Sequence, residues 1–396
     1  MNIPETLLGG MSPEEFLRDY WQKKPLLIRQ ALPGFTPHFS ADELGGLALE
    51  EEVESRLVIE KDGSEPWQVI HGPLEESLFA TLPPSHWTLL VQEVNRHVPE
   101  VTELFDLFNF IPAWRLDDIM VSYAEDQGTV GPHTDNYDVF LIQAEGKRHW
   151  QISNQSVTED DLIPDISMRI MADFESEQEW LLEPGDMLYL PPNVPHHGVA
   201  QGEGMTYSVG FRAPAKTGLW QHYVDSTCVS VREELYKDPD LKLSPDPGLI
   251  DKTARQRIRD IIRSMPSSDE EIDSWFGGFI TEPMRGVGPI PLEQPLNPQE
   301  FITLLREHGE CWRSEETRYG YFDDDKGFRL FIHGEEIRHP ALTPELGKLI
   351  ADQRHFSLQQ LEVYLNSAQL EWLCWLYNSA YLYFLDYEDN SGNDTD

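Results

Sequence analysis

A series of short segments with strand character most constrains what this chain can fold into. The candidate strands lie at 118–123, 139–143, 149–153, 179–182, 187–190 and 206–211. Turn residues separate most of them, and this spacing is typical of an antiparallel jelly roll built from two sheets. We therefore predict a mainly β domain with its barrel core at about 90–213.

The segments before this core predict a mixture of helices and short strands, with strands at 26–28 and on both sides of a turn over 57–71. Ser12 and Pro13 form a good helix start, and Glu15 can complete a capping box. The stretch 87–98 has a pattern that also favours a helix. We expect these elements to extend the first domain toward the N-terminus.

Beyond the predicted core, the sequence pattern changes from that of strands to that of helices. At 396 residues the chain exceeds one compact domain, so further domains are expected. The predicted order is a first domain at 1–215, a helical dimerisation region at 216–280, a linker rich in proline and glycine at 281–298, a winged-helix-like domain at 299–388 and a disordered acidic tail at 389–396.

The charge balance restricts the partners. The chain has 70 acidic and 30 basic residues, a net charge of −40. Phosphates of nucleic acids should be repelled, so no direct nucleic-acid binding is expected. A basic protein partner fits this charge, and an acidic surface adapted to a salty cytoplasm fits it equally well.

The cysteines and the hydropathy pattern indicate the compartment. Cys228, Cys311 and Cys374 are widely spaced and form neither a disulfide framework nor a zinc pattern. The N-terminus lacks the features of a signal peptide, and no apolar run reaches the length of a membrane span. We expect a cytoplasmic protein with no membrane association.

Two short motifs suggest a metal site. His133 and Asp135 form an H-x-D pair behind Gly131 and Pro132, and residues two apart on an extended segment point to the same side. A third candidate ligand, His196, ends a Pro-Pro-Asn-Val-Pro-His segment. Two imidazoles and one carboxylate on one face of a metal are the ligands of non-haem Fe(II) oxygenases.

The sequence around the second motif is the more specific of the two. From residue 183 to 196 it reads turn, buried strand, turn and histidine, which is the layout of the second motif of cupin-type barrels. Gly185 suits the first turn, and Asn193 tolerates the left-handed conformation that a tight bend needs. His196 completes the pattern, while His197 remains an alternative ligand.

These motifs together resemble a known family. His133-Thr-Asp135, Gly146-Lys-Arg148-His-Trp150, the Pro-Pro-Asn-Val-Pro-His196 segment and Tyr207-Ser-Val-Gly-Phe-Arg212 are similar to the JmjC-type 2-oxoglutarate oxygenases of the ribosomal oxygenase group. The resemblance covers the N-terminal helix, the β domain, and the helical and winged-helix segments that follow the β domain in the same order. It implies a JmjC fold of the double-stranded β-helix type.

The resemblance also implies cofactors and site residues. His133, Asp135 and His196 would hold Fe(II), with 2-oxoglutarate and dioxygen as cosubstrates. Arg148 would pair with the distal carboxylate of 2-oxoglutarate, since a guanidinium binds a carboxylate bidentately. Its alternative is a surface cation. Ser122 and Ser208 could donate hydrogen bonds to the same cosubstrate or be plain strand residues.

The implied reaction is hydroxylation of a basic ribosomal protein. The target would be an arginine side chain, at C-3, of protein sixteen of the large subunit. Asp118 would pair with its guanidinium and Tyr137 would stack on it, although Asp117 competes with Asp118 for this role. The alternatives are a histidine or another residue of another protein, a non-catalytic cupin-like binding module and a transcriptional regulator. A homodimer is expected.

Overall fold

The protein comprises two compact units in a computed structural model that describes residues 3–61, 66–230, 235–240, 249–265, 267–283 and 288–385. The first unit ends at Ala213 and the second begins at Pro214. The acidic tail expected at 389–396 lies outside the described residues. Within the described part, no helix is both long enough and apolar enough to cross a membrane.

The first unit is built on a nine-stranded antiparallel sheet. Its strands are β1 (Leu26–Ile28), β2 (Ser55–Ile59), β3 (Gln68–His71), β4 (Trp87–Val91), β5 (Leu116–Ala124), β6 (Asp138–Ile152), β7 (Gln178–Leu182), β8 (Met187–Leu190) and β9 (His196–Phe211). The spatial order is β1-β8-β6-β9-β5-β4-β2-β3, and β7 pairs with β6. Short helices accompany the sheet: α1 (Pro13–Asp19), α2 (Ala41–Leu47), α3 (Glu76–Phe79), α4 (Val94–His97) and α5 (Pro99–Thr102).

The two longest strands of this sheet, β6 and β9, form the central pair of the β domain. They pair along most of their length, with register shifts between Gln143 and Lys147. Before the shifts β6 also pairs with β8, and after them it pairs with β7. Such irregularities bend a strand, so one strand can contribute to two layers of a double-stranded β-helix.

The helix predicted over 87–98 is wrong. Residues Trp87–Val91 instead form β4, which is buried throughout and lies between β2 and β5. Only the short α4 follows it. A fully buried strand has apolar residues on both faces, so its periodicity resembles that of a buried helix segment. The sheet therefore begins well before residue 90.

Aromatic packing ties the N-terminal helix to the sheet. Phe16 of α1 is fully buried and contacts Phe140 and Tyr189 at ring-centroid distances of 5.6 and 5.0 Å. The Tyr189 hydroxyl donates a 2.7 Å hydrogen bond to the buried carboxylate of Asp138. Gln22 donates to the same carboxylate at 2.8 Å. This network anchors the start of β6 directly behind the H-x-D segment.

The second unit contains most of the helices. These are α6 (Lys216–Ser230), α7 (Lys252–Arg263), α8 (Asp269–Thr281), α9 (Pro298–His308), α10 (Pro344–Asp352), α11 (Leu358–Leu361) and α12 (Ser367–Asn378). Two three-stranded sheets complete it, formed by β10 (Glu310–Arg313), β14 (His355–Ser357) and β15 (Leu382–Tyr383), and by β11 (Tyr319–Asp324), β12 (Gly327–Ile332) and β13 (Glu335–Ile337). Helix α8 packs on the second sheet, where a side chain at Gly277 would overlap the ring of Phe331.

Candidate metal centre

Three side chains converge where the segment before β6 pairs, through His133, with His196 at the start of β9. The Nε2 atom of His196 lies 3.5 Å from one carboxylate oxygen of Asp135, and the Nε2 atom of His133 lies 3.8 Å from the other. The potential ligand atoms of all three lie within 4.8 Å of one another. Ligand atoms about 2.1 Å from one ion at right angles are roughly 3 Å apart, so a small contraction would close this set on a metal.

The backbone sets the orientation of both imidazoles. The Nδ1 atom of His133 is 2.9 Å from the carbonyl of Gly131, and that of His196 is 2.9 Å from the carbonyl of Val194. A carbonyl oxygen only accepts, so each Nδ1 carries the proton. This leaves each Nε2 facing the third candidate ligand, the carboxylate of Asp135.

The local turns hold the ligand segments together. His133 and His196 exchange two backbone hydrogen bonds of 3.0 and 2.9 Å. Asn193 has φ +63°, as predicted, and its N–H donates to the carbonyl of Asp135 at 2.6 Å. Gly131 has φ +79°, and a Cβ there would lie 2.7 Å from Ile170. The H-x-D segment thus depends on a glycine and on a distant turn.

His196 is held in the neutral form that binds metals. Burial and, to a lesser extent, the neighbouring His133 lower its pKa to about 4, although Asp135 partly offsets both. At neutral pH its imidazole carries no proton on Nε2. Its side chain is almost fully buried, in contrast to the half-buried His133 and Asp135.

The triad opens into a cavity of about 380 Å³ that also contains a buried arginine. Arg148 is 4% exposed and its Nη2 donates to the carbonyl of Gly198 at 3.2 Å. Its Nε has no hydrogen-bond partner, and no carboxylate pairs with it in the described part of the chain. Burial lowers the pKa of Arg148 to about 10. An uncompensated buried cation is costly, so this side chain is suited to an anionic ligand.

The position of Arg148 depends on its strand neighbours. Trp150 follows two residues later on the same face of β6, and the guanidinium carbon lies 5.3 Å from its ring centroid. Gly198 of β9 faces Trp150 in register. A Cβ at Gly198 would lie 2.8 Å from Nε of Arg148 and 2.7 Å from the Trp150 ring. The absence of a side chain at Gly198 makes room for the guanidinium.

The two serines lie where the sequence places them, on strands that line the cavity. Ser122 of β5 and Ser208 of β9 are both buried and both border the cavity. The Ser122 hydroxyl is 3.5 Å from the carbonyl of Thr206, a weak contact that leaves it available to a ligand. The structure therefore brings both hydroxyls into the same cavity as the triad and Arg148.

The two predicted substrate residues are placed differently. Tyr137 lines the cavity and is 38% exposed. Burial raises its pKa, and the carboxylates of Asp135 and Asp118 raise it further. Asp118 is therefore near Tyr137, but it is not among the cavity-lining residues, and its carboxylate accepts the backbone N–H of Glu93 at 3.2 Å. The competing Asp117 pairs with Arg212 at 3.3 Å.

Several cavity residues were not predicted from the sequence. They are Arg56, Thr88, Leu90, Met120, Trp150, Thr206 and the loop segment Ser167, Met168 and Arg169. Arg56 of β2 and Thr88 of β4 lie outside the predicted barrel core, and Leu90 of β4 lies at its edge. No motif marks them, and because β4 is buried on both faces, no alternation in its sequence could have indicated the side that faces the cavity.

Comparisons with known proteins agree with this geometry. Residues 103–219 match the JmjC domain family, and residues 258–383 match the ROXA-like winged helix family. The ribosomal protein uL16 3-hydroxylase of Escherichia coli is 34% identical over 377 residues, covering 93% of this chain and 97% of that protein. The chain belongs to the ribosomal oxygenases.

Other members of the family support this assignment. A probable ribosomal oxygenase of Haemophilus influenzae is 33% identical over 82% of each chain. The crystal structure of E. coli YcfD superposes with a TM-score of 0.82 at 33% identity, covering 95% of this ribosomal oxygenase and 98% of YcfD. YcfD in complex with cobalt and 2-oxoglutarate has a TM-score of 0.78, with 94% and 98% coverage.

These matches confirm the predicted family and fold class of this ribosomal oxygenase. Its β domain is of the JmjC, cupin-like type, and a helical segment and a winged-helix domain follow it. The winged-helix match begins at residue 258, inside the segment expected to be a separate helical region. We therefore infer that α8, which packs on the sheet of β11 to β13, belongs to the winged-helix module.

Proposed function

We propose that this chain is an Fe(II)- and 2-oxoglutarate-dependent hydroxylase of a basic ribosomal protein, and that its target is an arginine of uL16, at C-3. The proposal rests on one observation. The three candidate metal ligands and a buried arginine that has no ion pair line the same cavity. A metal and a guanidinium together match the two carboxylate ends of 2-oxoglutarate. The E. coli relative, a uL16 3-hydroxylase, supports the target.

Each site residue then has a defined task. His133, Asp135 and His196 hold Fe(II), and Arg148 pairs with the distal carboxylate of 2-oxoglutarate. The bound metal and cosubstrates supply the oxidative decarboxylation that delivers a hydroxyl group. The hydroxyls of Ser122 and Ser208 donate hydrogen bonds that orient the cosubstrate.

Binding of the substrate involves the outer part of the cavity. Tyr137 stacks on the guanidinium of the target arginine, and Asp118, which is near Tyr137 but does not line the cavity, pairs with it. The apolar side chains of Met120, Val139 and Leu141 line the cavity and limit water near the metal. The net charge of −40 favours the approach of a basic substrate.

The proposal predicts one added oxygen on uL16. We expect intact-mass spectra of ribosomal proteins to show uL16 heavier by one oxygen in cells that contain this chain than in cells that lack it. Tryptic fragments should place the oxygen on an arginine. An oxygen on a histidine would keep the chemistry but change the target, and an unchanged set of ribosomal proteins would contradict the proposed function.

A homodimer and a cytoplasmic setting are also inferred. Trp220 of α6 is 68% exposed, and Ile258, Ile261 and Ile262 of α7 present further exposed apolar surface. Such surface favours association with a second copy. Light scattering should give twice the mass of the chain, and Ile261→Asp together with Ile262→Asp should give the mass of one. A wild-type monomer would contradict the dimer.

We infer no nucleic-acid binding for the winged-helix module. The turn between β11 and β12 is acidic, and the nearby Lys326 and Lys348 pair with Asp273 and Asp323. Lysines that are already paired offer little attraction to phosphates.

A further inference from the structure

A second arginine faces the cavity from a strand that carries no motif. Arg56 lies on β2, where it opposes Leu90 of β4, and Leu90 in turn opposes Ser122 of β5. Residues that oppose one another in neighbouring strands share one face of the sheet. All three side chains line the cavity that contains the metal triad.

The guanidinium of Arg56 is not neutralised within the part of the chain that the structure describes. Its Nε is inaccessible to solvent and has no hydrogen-bond partner, and no carboxylate among the described residues pairs with it. By contrast, Arg169, which lines the same cavity, makes two 2.8 Å hydrogen bonds to Glu159. A buried donor without an acceptor costs about 1–3 kcal/mol. Arg56 is therefore placed to donate to whatever occupies the cavity.

The cosubstrate is not the natural acceptor for Arg56. The sheet order β6-β9-β5-β4-β2 separates the strands of Arg148 and Arg56 by four inter-strand spacings. Both ends of 2-oxoglutarate already have partners in the metal and Arg148.

Arg56 borders the same cavity as Tyr137, the residue that we propose stacks on the target arginine. Of the ligands proposed for this cavity, the one whose main chain has no assigned partner is the protein substrate. A basic side chain does not pair with a guanidinium, whereas main-chain carbonyl oxygens accept from its planar fork.

We propose that Arg56 is a specificity-determining residue that donates hydrogen bonds to main-chain carbonyl oxygens of the ribosomal protein segment bound in the cavity. This inference rests on the proposed function. Arg56 then recognises the path of the substrate backbone, while Tyr137 and Asp118 recognise the target side chain. The substrate segment passes between β2 and the H-x-D loop.

The test compares Arg56→Gln with the wild-type protein in two assays. The first measures the Kd of purified uL16 for protein loaded with 2-oxoglutarate and zinc(II), which has no redox chemistry and so prevents turnover. The second measures, with iron(II), the KM for uL16 and the KM for the cosubstrate. We expect Arg56→Gln to raise both the Kd and the KM for uL16 about tenfold, and to change the KM for the cosubstrate much less.

Two further variants distinguish recognition from folding or charge. Arg169→Gln also removes a cavity-lining cation, but one that Glu159 already pairs, and it should change the Kd by less than about threefold. Arg56→Lys keeps the charge without the planar fork and should give an intermediate Kd. The melting temperatures of the variants show whether they are folded.

The possible outcomes separate this inference from the proposed function. An unchanged Kd for uL16 would overturn the role of Arg56, and so would a larger effect on the KM for the cosubstrate than on the KM for uL16. Tighter binding of uL16 by Arg56→Gln would also overturn it, because it would mean that Arg56 only repels the basic substrate. If wild-type protein binds uL16 without hydroxylating it, the proposed function fails while the Kd comparison still decides the role of Arg56. Absence of binding by wild-type protein would overturn both.

Discussion

Replacing His196 with alanine is expected to abolish iron binding and succinate formation. The Nε2 atom of His196 is one of three convergent ligands, and its orientation is fixed by the hydrogen bond from Nδ1 to Val194. Loss of a residue that only orients a metal ligand costs about 10–100-fold, so loss of the ligand itself should cost about 100-fold or more. Iron content per chain and the rate of succinate formation measure the effect.

The adjacent histidine provides a matched control. His197 is next along β9, but its ring lies 5.9 Å from that of Phe174 and it is not one of the three convergent ligands. His197→Ala should retain iron and lose less than about tenfold in rate. Loss of iron from His197→Ala with retention in His196→Ala would reverse the ligand assignment.

Replacing Arg148 with methionine is expected to have opposite effects on cosubstrate binding and on stability. Methionine fills much of the same volume without charge, so the cost of a buried, unpaired cation disappears. The metal-free variant should melt at or above the temperature of the wild type. The KM for the cosubstrate should rise roughly thirtyfold or more, since removing one partner of a buried charge pair costs about 2–5 kcal/mol.

Thermal unfolding with and without 2-oxoglutarate checks the same prediction independently. With metal present, the cosubstrate should raise the melting temperature of the wild type but not that of Arg148→Met. A ligand stabilises the folded state only to the extent that it binds, and the variant should bind the cosubstrate weakly. Arg148→Lys should lie between the two, since it keeps a charge but not the planar fork. A strongly destabilised Arg148→Met with an unchanged KM for the cosubstrate would show that Arg148 is a structural residue.

Most of the metal site was predictable because its determinants are local. His133 and Asp135 are two residues apart on one segment, and the turn residues before His196 specify their own conformations. Arg148 was found through its family motif, and only the structure shows that it is buried without an ion pair. The distinction matters, because the lack of an ion pair supports an anionic ligand.

The outer cavity was less predictable because it depends on strand pairing. The segment 87–98 resembled a helix, and its true partners, β2 and β5, lie about thirty residues away on each side. That error left β4 unrecognised as a strand, so nothing in the prediction linked Arg56 of β2 to the barrel core. Similarly, the choice between Asp117 and Asp118 depended on contacts with Arg212 and Glu93, which are distant in sequence.

The sequence by itself determined the ligand set, the order of the β segments and the family, since short spacings and turn chemistry are encoded in adjacent residues. Only the tertiary structure decided which side chains share the cavity with the metal. Sheet pairing places Arg56, Leu90 and Ser122 side by side although long intervals of chain separate them. Burial then decides which of their polar atoms are left for a ligand, and burial is a property of the whole fold.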